Sequence, residues 1–117
     1  MNIETLKAAI ALLEGMGQPA PSKNLGQIGR KVIVRSRDAG VTYGVYAGND
    51  GSTISLTNAR QMWNWTAAKG ITLIDVATYG VKADKCKFSP SSATVSVFNA
   101  CALIDVTDDA AKIIEAV

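Results

Sequence analysis

An α+β domain built on a small antiparallel sheet is the fold class this sequence predicts, and three observations predict it. Short β-branched runs recur from residue 31 to 57 with turn signals between them, too close together for helical crossovers and so suited to hairpins. A further β-rich stretch spans residues 94–106. Helical patterns stand at both ends of the chain and once between the strands. The expected result is about six strands in one or two sheets, with an N-terminal helix, a short middle helix and a C-terminal helix.

Residues 3–16 read as the first helix. Asn2 is placed to cap it, Glu4 suits the positive end of its dipole, and Ile3, Leu6, Ile10 and Leu13 form a narrow apolar seam closed by Gly15 and Gly17. Such a seam packs on its own domain or pairs with a second copy. The segment 18–29, with two prolines and two glycines, reads as an extended linker and favours self-association of the helix (residues 1–17). The main domain then occupies residues 30–117.

Its first strand is Lys31-Val32-Ile33-Val34-Arg35. A turn at 36–40 leads to a second strand, Val41 to Ala47. Gly48-Asn49-Asp50-Gly51 is a hairpin signal, because these residue types tolerate positive φ. Thr53-Ile54-Ser55-Leu56-Thr57 alternates as a third strand, and Gln61 to Thr66 reads as a fourth. A short helix is expected over Ile71–Tyr79, with Ile71, Ile74, Val76 and Ala77 inward, Thr72 and Asp75 outward, and Gly80 as its stop. Lys82 to Lys87 reads as a basic loop. From Thr94 to Val106 the apolar phase shifts near Asn99, which implies a bend there. Thr107 caps a last helix, Asp108–Val117, with Asp108 and Asp109 in its first turn and Ile113, Ile114 and Val117 on its buried side.

With 117 residues, 48% hydrophobic and 19% charged, the chain can bury a core without staples. No apolar run reaches the roughly 18–20 residues of a membrane span, and the N-terminus lacks a basic region followed by an apolar one, so a soluble cytoplasmic protein is expected. Cys86 and Cys101 are read as two buried reduced thiols. The sequence holds no histidine, which removes Ser-His-Asp and Cys-His nucleophile arrangements and most zinc hydrolase sites. No phosphate-binding glycine motif and no paired acid/base carboxylates are visible. No cofactor, no metal and no catalytic residue are therefore expected.

Net charge is +2, but residues 30–87 carry nine basic against four acidic residues, a local excess of five. Long nucleic acid requires many phosphates to be neutralised together, so that excess suits a small anionic ligand better. Three segments could hold one. Asn58-Ala59-Arg60-Gln61-Met62-Trp63-Asn64-Trp65 contains both tryptophans, whose indoles stack on planar rings, and a guanidinium that grips phosphate; equally, two tryptophans can simply fill a small core. In Arg35-Ser36-Arg37-Asp38-Ala39-Gly40-Val41, Arg35 can make bidentate contacts and Ala39, Gly40 and Val41 allow close backbone approach, or the segment is an ordinary turn with solvated arginines. Lys82, Lys85 and Lys87 with Phe88 form a third, which also reads as a solvated loop. With Asn99 at the bend, the candidate ligand-binding residues are Arg35, Ala39, Gly40, Val41, Asn58, Arg60, Trp63, Trp65, Lys85, Phe88 and Asn99.

Val32-Ile33-Val34-Arg35, Ala39-Gly40-Val41, Gly44, Asn58-Ala59-Arg60 with Trp63 and Trp65, Ala67-Ala68, and Tyr79-Gly80-Val81 with Lys85 and Lys87 form a pattern across residues 31–106. It resembles a family of small phage-encoded proteins similar to the Thoeris anti-defence sponges. Arg37-Asp38 stand where smaller or aromatic residues are expected in that family. The resemblance implies capture, without cleavage, of cyclic ADP-ribose isomers made by bacterial TIR-domain enzymes, with cyclic oligonucleotides held by some members at separate sites. It also implies assembly as a dimer or hexamer and action in the cytoplasm of an infected bacterial host. On the resemblance, Arg60 or Arg35 would take a pyrophosphate and Trp63 or Trp65 would stack. The alternative reading is a non-catalytic phage structural or accessory protein that acts through oligomerisation.

Overall fold

The computed structural model describes residues 24–117, so the helix expected over 3–16 and the first part of the linker lie outside the described residues. Six strands form one antiparallel sheet: β1 (Lys31–Ser36), β2 (Gly40–Asp50), β3 (Thr53–Asn64), β4 (Lys87–Phe88), β5 (Ser92–Val97) and β6 (Ala100–Asp105). Two helices, α1 (Leu73–Tyr79) and α2 (Asp108–Glu115), and a 3₁₀ turn at Ala83–Lys85 complete the α+β fold.

Alternation builds the centre. In β1, Ile33 faces one side while Val32 and Val34 face the other, and all three are fully buried because both faces of the strand are covered. The strand order is β4-β3-β2-β1-β6, with β5 also on the outer edge of β3. β5 pairs with Ile54–Ala59 of β3, and β4 takes the far end of the same edge at Met62–Asn64. Only Phe98 and Asn99 separate β5 from β6, which lies on the opposite edge, against β1. The sheet must therefore curl until its two edges nearly meet. Ser36 Oγ donates to the Phe98 carbonyl at 2.8 Å and Ala100 N to the Ser52 carbonyl at 2.9 Å, across that seam.

The curl gives two cores. Val32, Val34, Tyr46, Ile54, Leu56, Ala59 and Val97 fill the inside of the half-closed barrel. Ile33, Tyr43 and Met62, on the outer face, pack with Val76 and Ala77 of α1 and Ala110, Ala111 and Ile114 of α2. The helices are joined end to end. Thr107 accepts from Ala110 N at 3.2 Å as the α2 cap, and donates through Oγ1 to the Thr78 carbonyl at 2.8 Å. Thr107→Ala is accordingly expected to destabilise the domain by about 1 kcal/mol or slightly more, since it leaves unmet groups on both helices. Thermal melting followed by circular dichroism checks this, and an unchanged Tm would contradict it.

Several expectations are corrected. The third and fourth strands are one continuous β3, because Asn58 adopts φ +48 and forms a bulge rather than a break. The hairpin turn closes at Gly51-Ser52, so β2 runs on through Gly48. Part of the basic loop pairs as β4. Ile71 and Ile74 are exposed, not buried: α1 starts at the Thr72–Asp75 capping box, which turns its Leu73, Val76 and Ala77 side inward. Ile113 likewise faces outward, and Ala110, Ala111 and Ile114 form the buried side of α2. The thiols are free, but Cys86 is only half-buried and Cys101 is exposed, because β6 is an edge strand with one uncovered face. The end of the expected linker is a strap hydrogen-bonded to β2, its Leu25 and Ile28 side chains exposed. Leu25 N donates to Tyr46 Oη at 3.1 Å and Asn49 Oδ1 at 2.9 Å, and Gly29 N to the Tyr46 carbonyl at 2.8 Å.

Candidate functional site

Among the described residues a cleft of about 670 Å³ lies where the β1–β2 turn faces the start of α1. Arg35, Arg37, Gly40, Val41, Trp65 and Leu73 line it, with Ser36 and Thr72. Each side chain arrives for a local reason. Arg35 follows Ile33 by two residues on β1, so it emerges on the helix-side face just beyond the core. Buried Ser36 shapes the turn: its Oγ accepts from Asp38 N at 3.3 Å and Ala39 N at 3.2 Å, which throws Arg37 outward. Gly40 then leaves the turn at φ +77, a conformation other residues adopt with strain. Trp65 follows the end of β3, half-buried against the helix-side core, with the remainder of its ring in the cleft.

Among the described residues neither Arg35 nor Arg37 has a side-chain hydrogen bond or ion pair; the two ion pairs are Arg30–Asp105 at 3.3 Å and Lys31–Glu115 at 2.8 Å. The carboxylate beside the cleft, Asp75, is already occupied. It accepts from Thr72 N at 3.0 Å, Ile71 N at 3.1 Å and Thr72 Oγ1 at 2.8 Å, and these bonds, that from Thr72 N first, hold its pKa below the usual carboxylate value. The cleft therefore offers two guanidinium groups, an indole and an apolar wall.

Four candidates from the sequence, Arg35, Gly40, Val41 and Trp65, are thus brought together. The others are not. Ala39 spends its amide on Ser36 and lines a separate cleft at the barrel mouth. Asn58 and Arg60 line a third cleft of about 420 Å³ with Lys31, Tyr43 and Glu115. There Arg60 donates from Nε to the Ser89 carbonyl at 2.8 Å and from Nη1 to the Ile114 carbonyl at 3.3 Å, and its guanidinium lies 5.4 Å from the Phe88 ring centre. The second of these bonds ties α2 to the sheet. Trp63 projects into solvent, Lys85 is exposed on the 3₁₀ turn, and Asn99 takes φ +54 in the β5–β6 turn with Nδ2 donating to Asp38 at 3.1 Å. Sequence reasoning left Leu73, Thr72 and Arg37 out of the set. The signal for Arg37 was present, since it lies two residues from Arg35 in the same turn segment.

The third cleft holds the most perturbed groups. Tyr43 Oη donates to Glu115 Oε1 at 2.9 Å, and Lys31 Nζ reaches the same oxygen. Burial raises the Tyr43 pKa far above its ordinary value, and the Glu115 carboxylate adds to the shift. The Lys31 contact, followed by the Tyr43 hydroxyl, holds Glu115 below its usual value. A raised folded pKa on Tyr43 means that its contribution is complete below the unfolded value of about 10 and is lost as pH climbs above it. Base-induced unfolding monitored by fluorescence is expected to be shallower above pH ~10 in Tyr43→Phe than in wild type; an identical alkaline slope would contradict the assignment.

The chain belongs to the family described as a domain of unknown function, DUF6948, whose profile matches residues 29–114. That span starts within the strap and ends inside α2, one residue short of Glu115, and so takes in the buried residues of both cores and the Arg35–Trp65 cleft. No curated protein and no solved structure matches the chain. Among the described residues no helix is long and apolar enough to cross a membrane.

Proposed function

We propose that this DUF6948 protein binds a small anionic nucleotide in the Arg35–Arg37–Trp65 cleft and holds it without cleaving it. The observation that carries the reading is the pair of unpartnered guanidinium groups set beside an indole in a cavity of about 670 Å³, within the usual size range of a small-molecule site. An unpaired guanidinium fork suits phosphate, and the indole face suits a base. The resemblance to the anti-defence sponges supports a cyclic nucleotide as the ligand, a cyclic ADP-ribose isomer first and cyclic oligonucleotides second. It gives the chain the role of a phage protein that withdraws a defence signal inside an infected bacterium.

The test is calorimetric titration of the purified protein with cyclic ADP-ribose isomers, cyclic dinucleotides and their linear counterparts, followed by recovery of the ligand. Tight binding of one cyclic class with the ligand recovered intact is expected. Arg35→Gln and Arg37→Gln each remove charge-assisted hydrogen bonds worth about 1.5–3 kcal/mol, so each is expected to weaken binding about tenfold or more. Binding unchanged in both variants would remove the cleft from the reading, and conversion of the ligand would replace capture with catalysis.

A second reading, assembly through an apolar surface, is favoured by Ile71, just before the α1 cap, and Ile74 in its first turn, which are 87% and 65% exposed. A homo-oligomer, dimer or hexamer, that buries them is compatible with capture. Light scattering of wild type and Ile71→Glu distinguishes it: dissociation of the variant supports the surface, and an unchanged mass rejects it.

A further inference from the structure

Trp63 is 73% exposed, although tryptophan is ordinarily among the most deeply covered side chains. Its position explains why. From Ala59 to Trp63 successive side chains of β3 change face: Met62 lies against the helix-side core, while Ala59, Gln61 and Trp63 share the barrel face, where Ala59 is buried and the other two are exposed as the strand overshoots the barrel. Of its neighbours on the outer edge, β4 has only two residues. Gln61, Ser89 and Ser92 line the adjoining barrel-mouth cleft. Lys87 Nζ stands 5.6 Å from the Trp63 ring centre. Lys85 and Lys82 precede it, all three exposed, with Asp84 the one carboxylate between them, and no ion pair engages any of the three among the described residues.

We infer that Trp63 with Lys87 is a stacking platform for single-stranded nucleic acid, separate from the Arg35–Trp65 cleft. An indole face accepts any base, and the ammonium now held over the ring can swing to the adjoining phosphate as the base takes its place. Charge complementarity selects this occupant. A protein partner docking on Trp63 would have to desolvate Lys87 beside it, whereas a phosphodiester strand supplies the base and the counter-charge together. A modest basic excess is too weak for duplex binding but sufficient here, because stacking contributes most of the affinity and only one or two phosphates are contacted. The polar mouth lined by Gln61, Ser89 and Ser92 gives the next nucleotide hydrogen-bonding partners.

The experiment is fluorescence anisotropy of a labelled oligothymidylate of about 12 nucleotides, near the upper range of single-strand site sizes, titrated with the full chain at low and moderate salt. Saturable binding is expected. Trp63→Ala is expected to weaken it about tenfold or more, Trp63→Phe to restore most of it, and Lys87→Gln to lower the salt slope by about 0.7. Because Trp63 and Lys87 lie on the surface, these variants are expected to melt with wild type, which thermal denaturation checks. If Trp63→Ala unfolds the domain, Trp63→Leu, which keeps the bulk and removes the aromatic face, and Lys87→Gln still decide the matter by affinity and slope. Absence of saturable binding, equal affinity for the matching duplex, wild-type affinity in folded Trp63→Ala, or an unchanged salt slope in Lys87→Gln would overturn the inference.

Discussion

Valine at Gly44 is expected to destabilise the domain by about 3 kcal/mol or more, a large fraction of the roughly 5–15 kcal/mol that holds an ordinary domain folded. Gly44 lies in β2 between Tyr43 and Val45, opposite the point where Asn58 and Ala59 bulge from β3. A Cβ placed there would stand 3.0 Å from Leu56 Cβ, 3.2 Å from Ala59 Cβ and 3.2 Å from the Thr57 carbonyl oxygen. None of these is the free end of a flexible side chain. Two are atoms fixed directly to the neighbouring strand and the third is backbone, so relief requires β2 and β3 to move apart. That movement would open the barrel core where Leu56, Ala59 and Tyr46 meet. Alanine applies the first part of the same insult and is expected to cost about 1–3 kcal/mol, with valine worse because both of its methyl groups enter the same space. Urea denaturation of the two variants measures this. A Gly44→Ala protein as stable as wild type would mean that the bulge at Asn58 yields freely.

The bulge that creates this constraint also marks the limit of what the sequence discloses. Segments whose character is set by local chemistry were legible. The β-branched run at Lys31–Arg35, the Thr107 cap, the Gly80 stop at φ +88 and the bend at Asn99 all stand where residue type alone puts them. Features fixed by contacts distant in the chain were not. Nothing in Thr57-Asn58-Ala59 distinguishes a strand end from a strand that absorbs one left-handed residue and continues; pairing with β2 and β5 on both sides decides it. The same holds for the barrel, whose closure depends on β5 and β6 joining opposite edges, and for α1, whose inward face is chosen by the capping box rather than by its bulkiest residues.

The candidate site divides along that line. Arg35, Gly40 and Val41 are close in sequence and share a hairpin, so they stayed together, and Trp65 joined them because β3 returns antiparallel to β2. Trp63 and Trp65 were read as one aromatic cluster, but the chain leaves β3 after Asn64, and the two rings end in different surroundings. Arg60 had the chemistry of a phosphate ligand. Its donors are turned instead to the Ser89 and Ile114 carbonyls, and only the fold of α2 over the sheet brings Ile114 within reach.

That contact leads to the second large effect, truncation of Ile114. Eight residues are too few to form a stable helix alone, so α2 exists by virtue of what it covers. Ile114 is its one large, fully buried side chain, in a cluster with Ile33, Tyr43, Met62 and Val76. Ile114→Ala is expected to destabilise the protein by about 2–5 kcal/mol, the transfer of the lost methyl and methylene groups plus the cavity they leave. The loss extends beyond the core, because a loosened α2 also withdraws Glu115 from Lys31 and Tyr43 and the Ile114 carbonyl from Arg60. Ile113, one position earlier, is 38% exposed and lies beside Gly80, and it is the control: its truncation is expected to cost about 1 kcal/mol or less. A Tm lower by roughly ten degrees or more for Ile114→Ala, against a few degrees for Ile113→Ala, is the expected pattern. Equal effects would place α2 on the sheet by a different face. A small effect for Ile114 alone would make the ion pairs, rather than the apolar contact, the attachment of the helix. The barrel side of the sheet shares no residue with this cluster, so hydrogen exchange in Ile114→Ala is expected to accelerate first in α2 and α1, and last at Val34, Leu56 and Val97.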